Sequence, residues 1–394
     1  MKISQLVTQM AESETLAMSR KSRELAAQGH QIINLSLGEP DFDTPEFIKM
    51  AAKVAIDQNY SHYTPVQGYE ALLDAIRTKF ERDNGLIYNR SQIIASTGAK
   101  QSIANLAMAV LDPGDEVVVA APFWVSYREI IRMTGATPVP VLAGFEQAYK
   151  ITADQLAAAI TPKTKMFWFS SPCNPTGAAY TKEELESLAE VLQSHPDILV
   201  MSDEIYEHIL FDGKHVSMAS LPGMEHRTVT VNGLSKSFAM TGWRLGYLGG
   251  PEPIIQACIK IQGQTTSATC SITQRAAIAA LEAHPQAIQY MRDVFMERRN
   301  KGYEQLKKVN GFQVDLPPGA FYFFPEVSAC LGKTYGGVHV ETADDLCMYF
   351  LNKAHVATVP GGAFGAPNAI RLSYATSETQ FAQAIMRIQS ALNS

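Results

Sequence analysis

An α/β fold, with a mainly parallel sheet between layers of helices and a smaller α+β domain beside it, follows from three features of the 394-residue sequence. Short runs rich in Val, Ile and Phe alternate with segments of helical period. Explicit helix-start signals stand between them. In the last third that alternation gives way to a long helix, short strand-like pieces and a final helix.

Five runs read as buried strands: 93–96, 116–121, 165–170, 198–202 and 228–232. Their brevity and their β-branched and aromatic content favour strand over helix. Thr181 with Glu184, and Thr152 with Gln155, are capping boxes that open helices. Thr44 before Pro45 reads as a cap with proline at the first helical position. The stretch Glu70 to Phe80 places Leu72, Leu73, Ile76 and Phe80 on one helix face. Residues 285–309 read as one long helix despite Gly302, followed by strand-like pieces at 320–324 and 369–373. A final helix from Ser377 is expected to bury Phe381, Ile385, Ile388 and Leu392. The large domain is placed at 47–285, and the smaller one at 1–46 together with 286–394. No repeat or linker separates them, so they are expected to pack tightly.

Composition narrows the function classes. Hydrophobic residues make up 46% of the chain and charged residues 18%, an ordinary globular balance. A net charge of −6 argues against a nucleic-acid partner, while leaving room for a local basic pocket. The five cysteines show no Cys-x-x-Cys spacing and suggest reduced thiols rather than a disulfide framework. Nothing calls for a metal. The first 36 residues lack the apolar core of a signal peptide, and no run is long enough to span a bilayer. A soluble cytoplasmic protein is expected.

Ligands of open α/β sheets sit outside the carboxyl ends of the strands, and the polar residues there are unusual. The first strand runs into Thr97-Gly98-Ala99-Lys100-Gln101. Glycine permits a tight turn, and the free N–H groups of a starting helix attract an anion, although the same pattern serves a plain connection. The second is followed by Trp124, either rim packing or a plate for a flat ligand. The third leads into Ser171-Pro172-Cys173-Asn174-Pro175-Thr176-Gly177, where Asn174 either caps the turn or offers its amide to a ligand. The fourth ends in Asp203-Glu204-Ile205-Tyr206, and a carboxylate in that position needs a cap, an ion pair or a ligand. The fifth leads to Ser235-Lys236 and then Arg244. Lysine is ordinarily a solvated surface charge, but a buried strand end beside an arginine depresses its pKa toward nucleophilic use. An aromatic plate, a phosphate cradle, an arginine, a lysine, a carboxylate and phenol and amide donors are what a pyridine aldehyde phosphate requires.

The run Ser235-Lys236-Ser237-Phe238-Ala239-Met240-Thr241-Gly242-Trp243-Arg244-Leu245-Gly246 resembles the lysine segment of class I aminotransferases, which have the fold type I PLP-transferase architecture. Asn174-Pro175-Thr176-Gly177, Asp203-Glu204-Ile205-Tyr206 and Leu37-Gly38-Glu39-Pro40-Asp41-Phe42 resemble the family's other signatures in order and spacing. The likeness spans essentially the whole chain and is greatest to bacterial aspartate aminotransferases of the thermophile type. It implies pyridoxal 5′-phosphate (PLP) held by Lys236 as a Schiff base, with the same lysine shuttling the substrate proton. Asp203 would pair with the pyridine nitrogen, Tyr206 and Asn174 with the phenolic oxygen, and Trp124 would stack on the ring. Arg244, Ser235 and the turn of Gly98, Ala99 and Lys100 would bind the phosphate. Tyr63 would reach the phosphate of a neighbouring subunit, implying a homodimer with shared active sites. Arg371 would grip the substrate α-carboxylate, Gly38 would let the N-terminal segment approach the substrate, and Tyr322 would line the pocket.

Substrate choice is less direct. Animal-type aspartate aminotransferases take an arginine for the distal carboxylate from a region corresponding to 263–271, which contains none here. In the thermophile subgroup a lysine and a threonine serve, and Lys100 and Thr15 match them. The expected reaction is amino transfer between L-aspartate and 2-oxoglutarate. The alternatives are an aminotransferase for prephenate, aromatic amino acids or alanine, a PLP carbon–sulfur β-lyase, or a non-catalytic regulator of the same fold. The chain carries no fused DNA-binding segment that would favour the last.

Overall fold

The structure, a computed structural model, describes every residue except Ser13 and the side chain of Gln9. Its centre is a seven-stranded sheet of β1 (Ile93–Ser96), β2 (Glu116–Ala121), β3 (Thr137–Leu142), β4 (Thr164–Ser170), β5 (Leu199–Asp203), β6 (Thr228–Gly233) and β7 (Gly246–Gly249). The spatial order is β1-β7-β6-β5-β4-β2-β3. Neighbours pair parallel throughout except that β7 runs antiparallel to both β1 and β6. Six carboxyl ends therefore lie along one edge, and β7 begins at that same edge.

Both faces are covered, which is why the strands read as unbroken apolar runs. Ile93 and Ala95 face a core with Leu72, Leu73 and Ile76 of helix Glu70–Lys79 and Ala276 and Ala277 of helix Ser271–Glu282. Ile94, on the alternate face, joins Val117, Val119, Met166, Trp168 and Met201 under helices Ala99–Val110 and Glu252–Thr265. Both capping boxes form as the sequence suggests, with each Thr hydroxyl accepting from the third N–H of its helix.

A further cluster joins the chain's two ends. Met18, Ile33 and Leu35 pack with Phe321, Tyr322, Phe381, Ile385 and Ile388, and this core also takes in Ile205 and Tyr206 from the turn after β5. Ile33–Asn34 pairs parallel with Val356–Ala357, and Ile370–Ser373 pairs antiparallel with Tyr322–Phe323 and Val359–Pro360.

Several expectations need correcting. Two strands of the central sheet, β3 and β7, lie outside the five apolar runs. β3 carries Pro138 and Pro140, which look like strand breakers, yet it pairs only with β2 and so lies at the sheet edge, where proline is tolerated. β7 has glycine at both ends and only four residues. Thr44 does not cap the helix at Glu46–Asp57; its hydroxyl instead donates to the Ala239 carbonyl at 2.7 Å. The expected helix over 285–309 is a 3-10 turn at Pro285–Ile288 followed by an α-helix at Gln289–Leu306. Gly302 is there because a Cβ would sit 2.8 Å from the Phe323 ring and 2.9 Å from that of Phe381. Leu392 ends half-buried rather than in the core.

Candidate active site

The sheet edge gathers the polar strand-end residues around one cavity of about 270 Å³. Its wall includes Lys236, Asp203, Tyr206, Asn174, Trp124, Ser235, Ala99, Lys100 and Arg244 from the sheet edge, with Gly38, Tyr322, Arg371 and Thr15 from the joined ends of the chain. Gly98, at φ +84°, adjoins it: a Cβ there would collide with the Arg244 guanidinium. Tyr63 is not brought to the cavity, and its side chain is 98% exposed.

Each group is placed by its strand. Lys236 lies three residues beyond β6, and its ammonium donates to the Gly38 carbonyl at 2.6 Å. Burial pushes its pKa down to about 8. Asp203 ends β5 at 5% exposure. Its Oδ2 accepts from the Tyr127 hydroxyl at 2.6 Å, and its Oδ1 from the Ile205 N–H at 3.2 Å. Burial pushes its pKa up to about 6, against the lowering by those two donors. Tyr206 shares a 2.8 Å hydrogen bond with Tyr322, and burial drives its phenol well above the ordinary range.

Arg371 is 2% exposed, an expensive place for a guanidinium. Nη1 donates to Asn174 Oδ1 at 2.8 Å and Nη2 to the Ser36 carbonyl at 2.6 Å, while Nε has no partner. The guanidinium lies 4.6 Å from the Tyr322 ring centroid and 5.1 Å from that of Phe364. It is a buried cation with no carboxylate among its described partners. Asn174 therefore gives its oxygen to Arg371 and keeps its NH2 for a ligand.

At the other end, helix Ala99–Val110 begins against the cavity, and its first N–H groups have no acceptor within the helix. Arg244 holds the left-handed φ of +56° two residues before β7 and donates to the Thr241 carbonyl at 2.7 Å. The strand pairing brings Gly246 so close to Ala99 that any side chain there would strike its backbone. Lys100 sits 4.9 Å over the Trp124 ring, its pKa lowered by burial and by Arg244.

The chain matches the family "Aminotransferase class I and II" over residues 30–388. It belongs to that family. The aspartate/prephenate aminotransferase of Cereibacter sphaeroides is 46% identical over 390 residues, covering 98% of both chains. The aspartate aminotransferase of Rhizobium meliloti, as a crystal structure, is 41% identical with a TM-score of 0.97, covering 100% of this chain and 99% of that one. The Thermus thermophilus aspartate aminotransferase with maleate is 39% identical with a TM-score of 0.93, covering 99% and 100%. The fold is thus that of the fold type I aminotransferases, and the protein is a PLP-dependent aminotransferase.

The residues fit that cofactor. A buried carboxylate with only two neutral donors suits a protonated ring nitrogen. A glycine cradle with an arginine and open helix N–H groups suits a phosphate. A buried lysine of lowered pKa suits attachment to an aldehyde.

Sequence reasoning missed Tyr127, which anchors Asp203 from the first turn of a short helix, Ser126–Met133, that carries no recognisable signature. It also missed Ser126, Ser170 and Thr241 on the cavity wall. Ser170, the last residue of β4, was open to the strand-end rule already applied to its neighbours.

The raised pKa of Asp203 sets a pH dependence. Because the folded state favours its protonated form, that contribution to stability is complete below the ordinary aspartate pKa of about 4 and fades as pH rises through about 6. In the cofactor-free protein, wild type should lose stability relative to Asp203→Asn by about 2–3 kcal/mol between pH 4 and pH 7. Thermal or urea denaturation of both proteins across that range measures it, and a constant difference would count against the burial argument.

Proposed function

We propose that this aminotransferase moves the amino group between L-aspartate and 2-oxoglutarate. The observation that carries the reading is that one cavity holds two separate cations for a dicarboxylate. Arg371 is buried with its Nε free, and Lys100 lies over Trp124 with Thr15 on the same wall. The names of the relatives from Cereibacter and Rhizobium agree with this. The names of the Cereibacter relative and of the Petunia hybrida bifunctional enzyme also include prephenate, which favours it as a second substrate. Prephenate is also a dicarboxylate.

On this reading PLP, when bound, supplies the electron sink that lets the bond from Cα to hydrogen be broken. Lys236 holds the cofactor, takes the α-proton on Nζ and returns it. Asp203, fixed by Tyr127, keeps the ring nitrogen protonated. Tyr206 and the Asn174 NH2 donate to the ring's phenolic oxygen, and Trp124 covers its face. Arg244, Ser235 and the N–H groups of Ala99 and Lys100 hold the phosphate beside Gly98. Arg371 orients the α-carboxylate with its planar fork. Gly38 lets the N-terminal segment close against Tyr322 at the substrate's edge, since a Cβ there would lie 2.5 Å from the Tyr322 hydroxyl.

The large unit at 47–285 would carry the cofactor, and 1–46 with 286–394 would form the smaller unit. Among the described residues no helix is long and apolar enough to cross a membrane, and we place the protein in the cytoplasm. The exposed Tyr63 is read as reaching a second subunit's phosphate. Its loop is held by Gln262 and Gln274, which donate to the Val66 carbonyl and the Thr64 hydroxyl, each at 2.9 Å.

Half-reactions of the PLP-loaded protein with a panel of amino acids, read by visible absorption, should be fastest with aspartate and glutamate. Lys100→Ala should lower the aspartate-to-alanine ratio of kcat/KM about tenfold or more, because a charge-assisted contact is lost for one substrate only. An unchanged ratio removes Lys100 from the distal-carboxylate role, and pyruvate with ammonia formed without a 2-oxo acid would indicate the lyase. Sedimentation should give twice the chain mass, with Tyr63→Phe binding PLP more weakly; a single-chain mass would exclude the shared site.

A further inference from the structure

The turn that carries Asp203 and Tyr206 alternates between two environments. Asp203, Ile205 and Tyr206 line the cavity, whereas Glu204 and Glu207 do not. Both glutamates are nonetheless buried, at 1% and 6% exposure. Two uncompensated carboxylates there would cost several kcal/mol each.

Both have partners close by. Glu204 Oε1 accepts from the Ser202 hydroxyl at 2.9 Å and the Ser217 hydroxyl at 2.7 Å. Its Oε2 meets His215 Nε2 at 2.9 Å and the Asn84 NH2 at 3.2 Å. Glu207 pairs with the buried ammonium of Lys79 and accepts from Asn84 at 2.8 Å. Lys79 in turn donates to Asn84 Oδ1 at 2.7 Å. Asn84 thus bridges both carboxylates and the ammonium. Ligand atoms of Glu204, Glu207 and His215 lie within 4.8 Å of one another, a spacing that suits a metal. Lys79 already holds the cation's place, so the cluster reads as neutralised from within.

The charges that face His215 are Glu204 and Glu207 from the turn and Lys79 from helix Glu70–Lys79. His208 lies 3.3 Å from Glu207 and is pushed toward its neutral form by burial. Asp83 forms its own pair with Arg82, at 2.6 Å and 2.9 Å. With His215 protonated, two anions meet two cations. The carboxylates raise the His215 pKa against the opposing effect of burial.

We propose that Glu204 and His215 are positioning residues for the transamination. As an ion pair behind the strand end, they fix the Asp203–Tyr206 turn, and the imidazole offsets the Glu204 charge behind Asp203, so that less of it is felt at Asp203 and Lys236 on the cavity side. This rests on the PLP aminotransferase reading of the site. Removing the imidazole leaves the Glu204 carboxylate, one residue from Asp203, with neutral donors but without its adjacent cation. The less screened negative charge favours every protonated form in the cavity. Removing the carboxylate as well restores neutrality.

The test is the pH titration of the visible absorption of the PLP-loaded protein. The expected result for His215→Gln is an upward shift of the midpoint by roughly half a pH unit or more. The double variant Glu204→Gln/His215→Gln should return toward the wild-type midpoint. A purely structural role predicts no such return, since the double variant removes more contacts than the single one. Ser217→Ala, which strips one hydrogen bond from Glu204 with little change in volume, should move the midpoint the same way by less, and it serves if His215→Gln does not fold. Binding of PLP with unchanged midpoints in these variants overturns the proposal. A wild-type protein that takes up no PLP overturns the cofactor reading instead.

Discussion

Burying the Asp203 carboxylate at the end of β5 is unfavourable by several kcal/mol unless a proton or a positive charge is supplied, and much of the site follows from that requirement. Tyr127 and the Ile205 N–H stabilise one face of the charge but are neutral donors. The cavity side is left for a cation that belongs to the cofactor. The same logic applies at the opposite wall with the sign reversed. Arg371 is buried against Asn174, a backbone carbonyl and two aromatic rings, and awaits an anion. A site with a buried carboxylate held only by neutral donors at one end and a buried guanidinium held only by neutral acceptors at the other is organised around ligands that bring both charges.

The sheet makes this arrangement possible. Six strands end at one edge, and the antiparallel β7 starts there, which brings Arg244 and Gly246 against the first turn of helix Ala99–Val110. The joined chain ends then close the remaining side with Gly38, Tyr322 and Arg371. Tyr206 belongs to both halves: it follows β5 in the chain, packs in the core formed by the chain ends, and bonds Tyr322. Movement between the two halves would therefore be felt directly at the group beside Asp203.

The strand ends were legible because a short apolar run that stops at a polar residue is a strong local signal, and five of the seven strands carry it. β3 was hidden by prolines that only an edge position tolerates, and β7 by its glycines, whose reasons lie far away in the chain: Gly246 meets the Ala99 backbone, and Gly249 the Tyr88 and Phe80 rings. Tyr127 was invisible for a similar reason. Its partner lies 76 residues on, and nothing in Ser126–Met133 marks it. The compensation of Glu204 by His215 and Asn84 was equally out of reach, since it depends on how the turn after β5 meets the end of helix Glu70–Lys79. Position along the sheet edge is written locally, whereas pairing across the core is not.

Attachment of the cofactor to Lys236 is the central claim, and one measurement addresses it without relying on turnover. The PLP-loaded protein is reduced with borohydride, digested, and its peptides weighed. The pyridoxyl mass is expected on the peptide containing Lys236 and nowhere else. A label on Lys100, on several surface lysines, or on none would contradict it.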